Sequence, residues 1–122
     1  MKKLITMFLL AVPAVAMADY VDVLSAKLKD GCSIATFQQI IADFNATWAQ
    51  GTEYKAQLMI PVMSEDLHTF YWVGRTTNAE VYGRSLERWV KEANDPNTVT
   101  GKLNERMNAC VTWGGRAGFI TR

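Results

Sequence analysis

Residues 28–37 read LKDGCSIATF, with a cysteine set between a turn and the start of an apolar periodic run. The reading of Cys32 decides both the compartment and the path of the chain. Three roles suit a cysteine here: a reactive thiol at a helix start, where the dipole lowers its pKa, a metal ligand, or half of a disulfide. The 122 residues hold one other cysteine, Cys110, and one histidine, His68. A zinc site calls for more sulfur or imidazole than that.

The first eighteen residues bear on the compartment. MKKLITMFLLAVPAVAMA opens with Lys2 and Lys3, runs apolar from Leu4 to Val12 and closes on Ala16-Met17-Ala18, the pattern of a cleavable secretory signal peptide. Pro13 interrupts the apolar run, and the segment falls short of the roughly 20 residues that span a bilayer. The expectation is a signal peptide over 1–18 and a single mature domain over 19–122, soluble and periplasmic. In an oxidising space an even cysteine count reads as a Cys32–Cys110 disulfide, with the reactive thiol as the other reading. A bridge requires the two α-carbons to lie within about 7 Å, so the fold must bring residue 32 beside residue 110.

Charge narrows the partners. Thirteen Lys plus Arg stand against 12 Asp plus Glu, and without Lys2 and Lys3 the acidic side chains are in excess by one. No basic stripe is available to neutralise phosphates, which argues against nucleic acid. No later apolar run is long enough to span a membrane, which argues against stable insertion. A domain of about a hundred residues buries somewhat under 70% of its unfolded surface, so a disulfide or a partner subunit would strengthen a modest core.

The hydrophobic pattern meets the demand that the cysteines make. In YVDVLSAKLK, from residue 20, Leu24, Ala26 and Leu28 share one face of a strand, and Val21, Val23, Ser25 and Lys27 share the other. After the turn at Asp30-Gly31, Ser33 is a helix N-cap, and Phe37, Ile41, Phe44 and Trp48 recur on one helical face. Gly51 is placed to end that helix in a left-handed conformation. YKAQLMIPVMS, from residue 54, reads as a second strand, held to an edge by Pro61, and SEDLH turns the chain into a third, TFYWVGRT.

Thr77-Asn78-Ala79-Glu80 predicts a capping box, with a stripe of Ala79, Tyr82, Leu86, Trp89, Val90 and Ala93 that ends before Asn94-Asp95-Pro96-Asn97. A short helix over about 101–108 turns Leu103 and Met107 inward. A last strand begins near Cys110 and is made irregular by Gly114-Gly115 and Gly118. This order is the split βαβ of a ferredoxin-like α+β fold, a four-stranded antiparallel sheet in the order 4-1-3-2. Strand one then runs antiparallel to strand four, and Cys32 falls beside Cys110. One sheet face is covered by helices. The other carries Val21, Val23 and either Phe70 with Trp72 or Tyr71 with Val73, too apolar to be left in water.

The turn K-L-K-D-G at 27–31, the strand T-F-Y-W-V-G at 69–74 and the helix pattern Y-G…L-E-R-W at 82–89 resemble the dimeric α/β-barrel superfamily. The resemblance implies two ferredoxin-like protomers with sheets packed face to face, hence a homodimer. It also implies a range of activities: cofactor-free monooxygenases, small isomerases and cyclases, haem-degrading enzymes, and members with no assigned reaction. Haem-degrading members carry an asparagine on the first strand and a tryptophan followed by a histidine on the second helix. Here Trp89 matches that tryptophan, but the first strand has no asparagine and no histidine follows. The expectation is no cofactor and no metal.

Several residues are candidates for chemistry. His68 is a candidate general base or, with Glu65 and Asp66, a metal ligand, and Met59 and Met63 would add soft donors for copper. The plainer readings are a solvated hairpin turn and methionines filling one strand face. Lys27, Tyr71 and Arg75 are candidates to line a cleft beneath the sheet and polarise a carbonyl or carboxylate, or are simply solvated strand-end groups. Trp48, Trp72, Trp89 and Trp113 are candidates to wall an aromatic pocket, or are core, and Trp72 and Trp113 join Lys27, Tyr71 and Arg75 as expected ligand contacts.

Two functions stand on this. One is a non-catalytic periplasmic homodimer that holds a small apolar ligand. The other is a cofactor-independent monooxygenase or isomerase in which His68, Tyr71 and Arg75 orient a small aromatic or enolisable substrate. The second requires Tyr71 or Arg75 to face a closed apolar pocket.

Overall fold

The computed structural model describes residues 19–122, and the expected signal peptide lies outside them. Strand β1 (Tyr20–Leu28) leads through Asp30-Gly31 into helix α1 (Ile34–Ala46). Gly31 makes that turn with φ at 84°, a conformation that a side chain disfavours. Ser33 then caps α1, its Oγ accepting from the Thr36 N–H at 3.1 Å. The helix ends earlier than the periodicity predicts. The Thr47 N–H and hydroxyl both donate to the Asp43 carbonyl, and Trp48–Gly51 continue as a 3₁₀ turn. Gly51 is therefore not the left-handed cap expected of it.

Strand β2 (Lys55–Met59) stops before Pro61 and lies at the sheet edge, as a residue without an N–H requires. Strand β3 (Phe70–Thr76) returns antiparallel to it. Helix α2 (Ala79–Glu92) is capped by Asn78, whose Oδ1 accepts from the Val81 N–H, and not by the expected Thr77. Thr77 donates instead to Glu53, and Glu80 pairs with Arg84, so the capping box does not form. Helix α3 (Val99–Cys110) is longer at both ends than the short helix predicted, because Thr98 caps it at the Gly101 N–H. Strand β4 (Val111–Ile120) follows directly.

The strands lie in the order β4-β1-β3-β2, every pair antiparallel, which is the ferredoxin-like topology expected. Cys32 and Cys110 are bonded, with α-carbons 5.2 Å apart, and the thiol reading of Cys32 falls away. Leu24, Ala26 and Leu28 of β1 face the helices, where Phe37, Ile40, Ile41 and Phe44 of α1 and Leu103 and Met107 of α3 complete the core. Trp72 pairs across from Leu24 and packs into that core, so Phe70 and Trp72 face the helices while Tyr71 and Val73 join Val21 and Val23 on the open face. Among the described residues no helix is long and apolar enough to cross a membrane.

One irregularity matters for the site. Leu24 pairs with Arg116 and Ala26 with Trp113, so β4 spends one residue more than β1 between these pairs. This is a β-bulge at Gly114-Gly115, and the Ser25 hydroxyl donates to the Gly115 carbonyl beside it. Residues three apart point to opposite faces of a regular strand. The bulge cancels that offset and sets Trp113 and Arg116 on the helix side together.

Candidate functional site

Between the sheet and the helices lies a cavity of about 240 Å³. Leu24, Trp72 and Trp113 form its sheet wall, Phe44 and Trp48 come from α1 and the turn after it, and Trp89 comes from α2. All four tryptophans line it. Their rings lock one another edge-on: Trp48 against Trp89 at 5.4 Å, Phe44 against Trp72 at 4.8 Å, Trp72 against Trp113 at 6.1 Å. Such T-shaped pairs place the positive edge of one ring on the negative face of the next, which fixes the shape of the walls.

One corner of the cavity is polar. Asp22 is 1% exposed, on the apolar face of β1. Arg116 reaches back to it from β4, donating from Nε to Oδ1 at 3.0 Å and from Nη2 to Oδ2 at 3.2 Å. The Tyr54 hydroxyl donates to Oδ2 at 3.3 Å and accepts from the Trp72 indole N–H at 2.8 Å. Tyr82 stacks on Tyr20, centroids 4.5 Å apart, within range of the charge of the same carboxylate. A buried carboxylate is tolerated only when paired and hydrogen-bonded, and these neighbours supply both conditions.

The strands make room for this cluster with glycine. Asp22 lies opposite Gly74 on β3 and Gly118 on β4. A Cβ on Gly74 would stand 1.8 Å from the Tyr54 Oη, and one on Gly118 would stand 2.0 Å from the Tyr20 Oη. The two tyrosyl hydroxyls occupy the space those side chains would fill.

The corner offers protons and little basicity. Burial, helped by the charge of Asp22, pushes the Tyr54 phenol well above its ordinary range against the opposing donation from Trp72. Burial and Asp22 push Tyr82 up to about 12. For Arg116 burial works to lower the pKa, but the hydrogen bonds and charge of Asp22 outweigh it and the net shift is upward. At neutral pH the two phenols and the guanidinium all carry their protons.

The residues singled out in the sequence divide between two faces. Trp72 and Trp113 line the cavity. Lys27, Tyr71 and Arg75 do not: they alternate with Ala26, Trp72 and Gly74, so the pleat turns them to the open face instead of into a cleft beneath the sheet. Lys27 pairs with Asp66 at 3.7 Å, and Arg75 lies opposite Lys55. His68 sits on the β2–β3 loop with its side chain 94% exposed, and Met59 and Met63 are exposed as well. Among the described residues no three His, Cys, Asp or Glu side chains cluster to hold a metal ion. Asp22, Tyr54, Tyr82 and Arg116 were missed by sequence reasoning. The available signal was Asp22 itself, an acid in phase with Leu24, Ala26 and Leu28.

No protein-family model matches the chain, and no curated protein matches it. Among solved structures it is similar to SnoaB, a cofactor-independent oxygenase from Streptomyces nogalater, at 12% identity and a TM-score of 0.57, over 86% of this chain and 94% of that one. It is also similar to a chlorite dismutase-like protein at 13% identity and a TM-score of 0.48, over 85% of this chain and 42% of that one. A dimeric protein of unknown function and ferredoxin-like fold from Bacteroides fragilis aligns at 7% identity and a TM-score of 0.44, over 85% and 95%. The first likeness bears on architecture alone, and the chain shares a ferredoxin-like fold with a four-stranded antiparallel sheet.

Proposed function

We propose that this is an exported, homodimeric α/β-barrel protein that binds a small, largely apolar ligand between its sheet and helices. The observation that carries the reading is the cavity itself, walled by four tryptophans and ended by the Asp22–Arg116 corner. Apolar walls with a few convergent polar groups are the usual construction of a small-molecule site. Export rests on the signal-peptide pattern of residues 1–18. The dimer rests on the sheet face away from the helices, where half-buried Val23 and Tyr71, beside the buried Val21 and Val73, are continuous with the exposed Met59 and Phe119.

Native mass spectrometry of protein recovered from the periplasm without reductant tests all three parts. The expected species is a dimer of chains beginning at Asp19, each with one disulfide, taking up a small aromatic compound that also quenches tryptophan fluorescence. Leu86→Trp, which fills the cavity, is expected to abolish the quenching. Uptake and quenching that persist in this variant would place the ligand elsewhere.

A second reading, a cofactor-independent monooxygenase, draws on the likeness to SnoaB. Its chemistry needs a base to form a substrate carbanion, and neither His68, the candidate base, nor Tyr71 and Arg75, expected to orient the substrate, lines the cavity. Asp22 is the carboxylate at the corner, and it already accepts from Arg116 and Tyr54. Binding without turnover is therefore the better reading, and oxygen uptake by the ligand-loaded protein would reverse the order.

A further inference from the structure

Among the described residues Arg116 is the one charged residue that lines the cavity, and its charge is already matched. Asp22 stands behind it, 1% exposed, and takes up two of its nitrogens. Among the described residues Nη1 of Arg116 has no hydrogen-bond partner. An anion entering the cavity meets attraction from the guanidinium and repulsion from the carboxylate behind it. The carboxylate offsets part of that attraction, while the anion gives up much of its hydration. An uncharged acceptor, such as a carbonyl oxygen, takes a hydrogen bond from Arg116 without that loss.

Size adds a second limit. A volume of about 240 Å³ lies below the roughly 300 to 1,000 Å³ of sites for larger ligands. The locked edge-to-face rings leave the walls little freedom to widen.

We infer that the cavity selects an uncharged aromatic molecule of one or two rings whose acceptor oxygen sits against Arg116, and that Asp22 sets this charge selectivity. The inference rests on the proposed ligand-binding function and adds the class of ligand and the residue that chooses it. Removing the carboxylate while keeping its shape leaves Arg116 uncompensated and turns the same cavity toward carboxylates.

The test is calorimetric titration of the oxidised full-length mature protein with 2-naphthamide and 2-naphthoate, which share a ring system and differ in charge. The wild-type protein is expected to bind the amide at least about tenfold more tightly, and Asp22→Asn to shift the ratio toward the carboxylate by at least about tenfold. A wild-type protein that binds the carboxylate as tightly as the amide overturns the inference while leaving the ligand-binding function intact. So does an Asp22→Asn protein with an unchanged ratio. Failure of both compounds to bind overturns the function and the inference together. The wild-type comparison decides the matter even where Asp22→Asn does not fold.

Discussion

Asp22 and Arg116 stand 94 positions apart and are joined by hydrogen bonds of 3.0 and 3.2 Å, although neither is the other's partner in the sheet register. Arg116 lies opposite Leu24 and Asp22 opposite Gly118, so the pair runs diagonally across β1 and β4. The two ends of this bridge differ in exposure. Asp22 is 1% exposed and the Arg116 side chain 46%.

That asymmetry sets the cost of breaking the pair. Arg116→Met strands a buried carboxylate, a loss of about 3 to 5 kcal/mol by comparison with other broken buried pairs. Asp22→Asn leaves a guanidinium that can turn to water and an amide that can still accept from Tyr54, for about 1 to 2 kcal/mol. Urea denaturation of both variants checks the order. Equal losses would mean that burial of Asp22 does not govern the pair.

Gly74→Ala is expected to destabilise by about 1 to 3 kcal/mol, the range for overpacking, because its Cβ arrives on the Tyr54 phenol. The effect is local and therefore coupled. Tyr54→Leu together with Gly74→Ala should cost clearly less than the sum of the two single changes, and a double-mutant cycle by urea denaturation measures the difference. Additive losses would place the clash elsewhere.

The fold was legible where one physical constraint enforced another. The alternation of Leu24, Ala26 and Leu28, the single pair of cysteines and the order of elements all demand β1 beside β4. The site was less legible for two reasons. TFYWVG is apolar at every other position in either phase, so the sequence does not say whether Tyr71 or Trp72 faces the helices, and the structure turns Trp72 inward. Trp113 and Arg116 are three apart, and only a bulge aligns them. The glycine pair announces an irregularity without saying which residue is extra. Asp22 broke the apolar pattern in plain view, yet its meaning depended on Arg116, which the bulge concealed.

The disulfide closes a separation of 78 residues, which the chain-entropy model values at about 4.5 kcal/mol before any strain. Reduction, or Cys32→Ala with Cys110→Ala, is expected to lower Tm by at least about 10 °C in a domain of this size. Because Cys110 ends α3, which carries Asn104 and Met107 to the cavity, ligand affinity should fall as well. Calorimetric scans with and without reductant give the first result, and titration of the double variant gives the second.

Alkaline pH tests the closed polar corner. Tyr54 and Tyr82 are both raised above the ordinary value of 10.0, Tyr82 to about 12. Above pH 10 the unfolded chain therefore loses protons that the native protein retains. Native protein then binds more protons than unfolded, so stability falls as pH rises. Both contributions are fully present below about pH 10; that of Tyr82 drains away through about pH 12, and that of Tyr54 goes on falling above it. Urea denaturation across this window should show the decline, and Tyr82→Phe should flatten it. Near-ultraviolet titration of native protein should show at least two of the four tyrosines ionising later than free tyrosine. Four phenols titrating together near pH 10 in protein that stays folded would show the corner open to water, and the pairing of Asp22 with Arg116 would then be a surface contact.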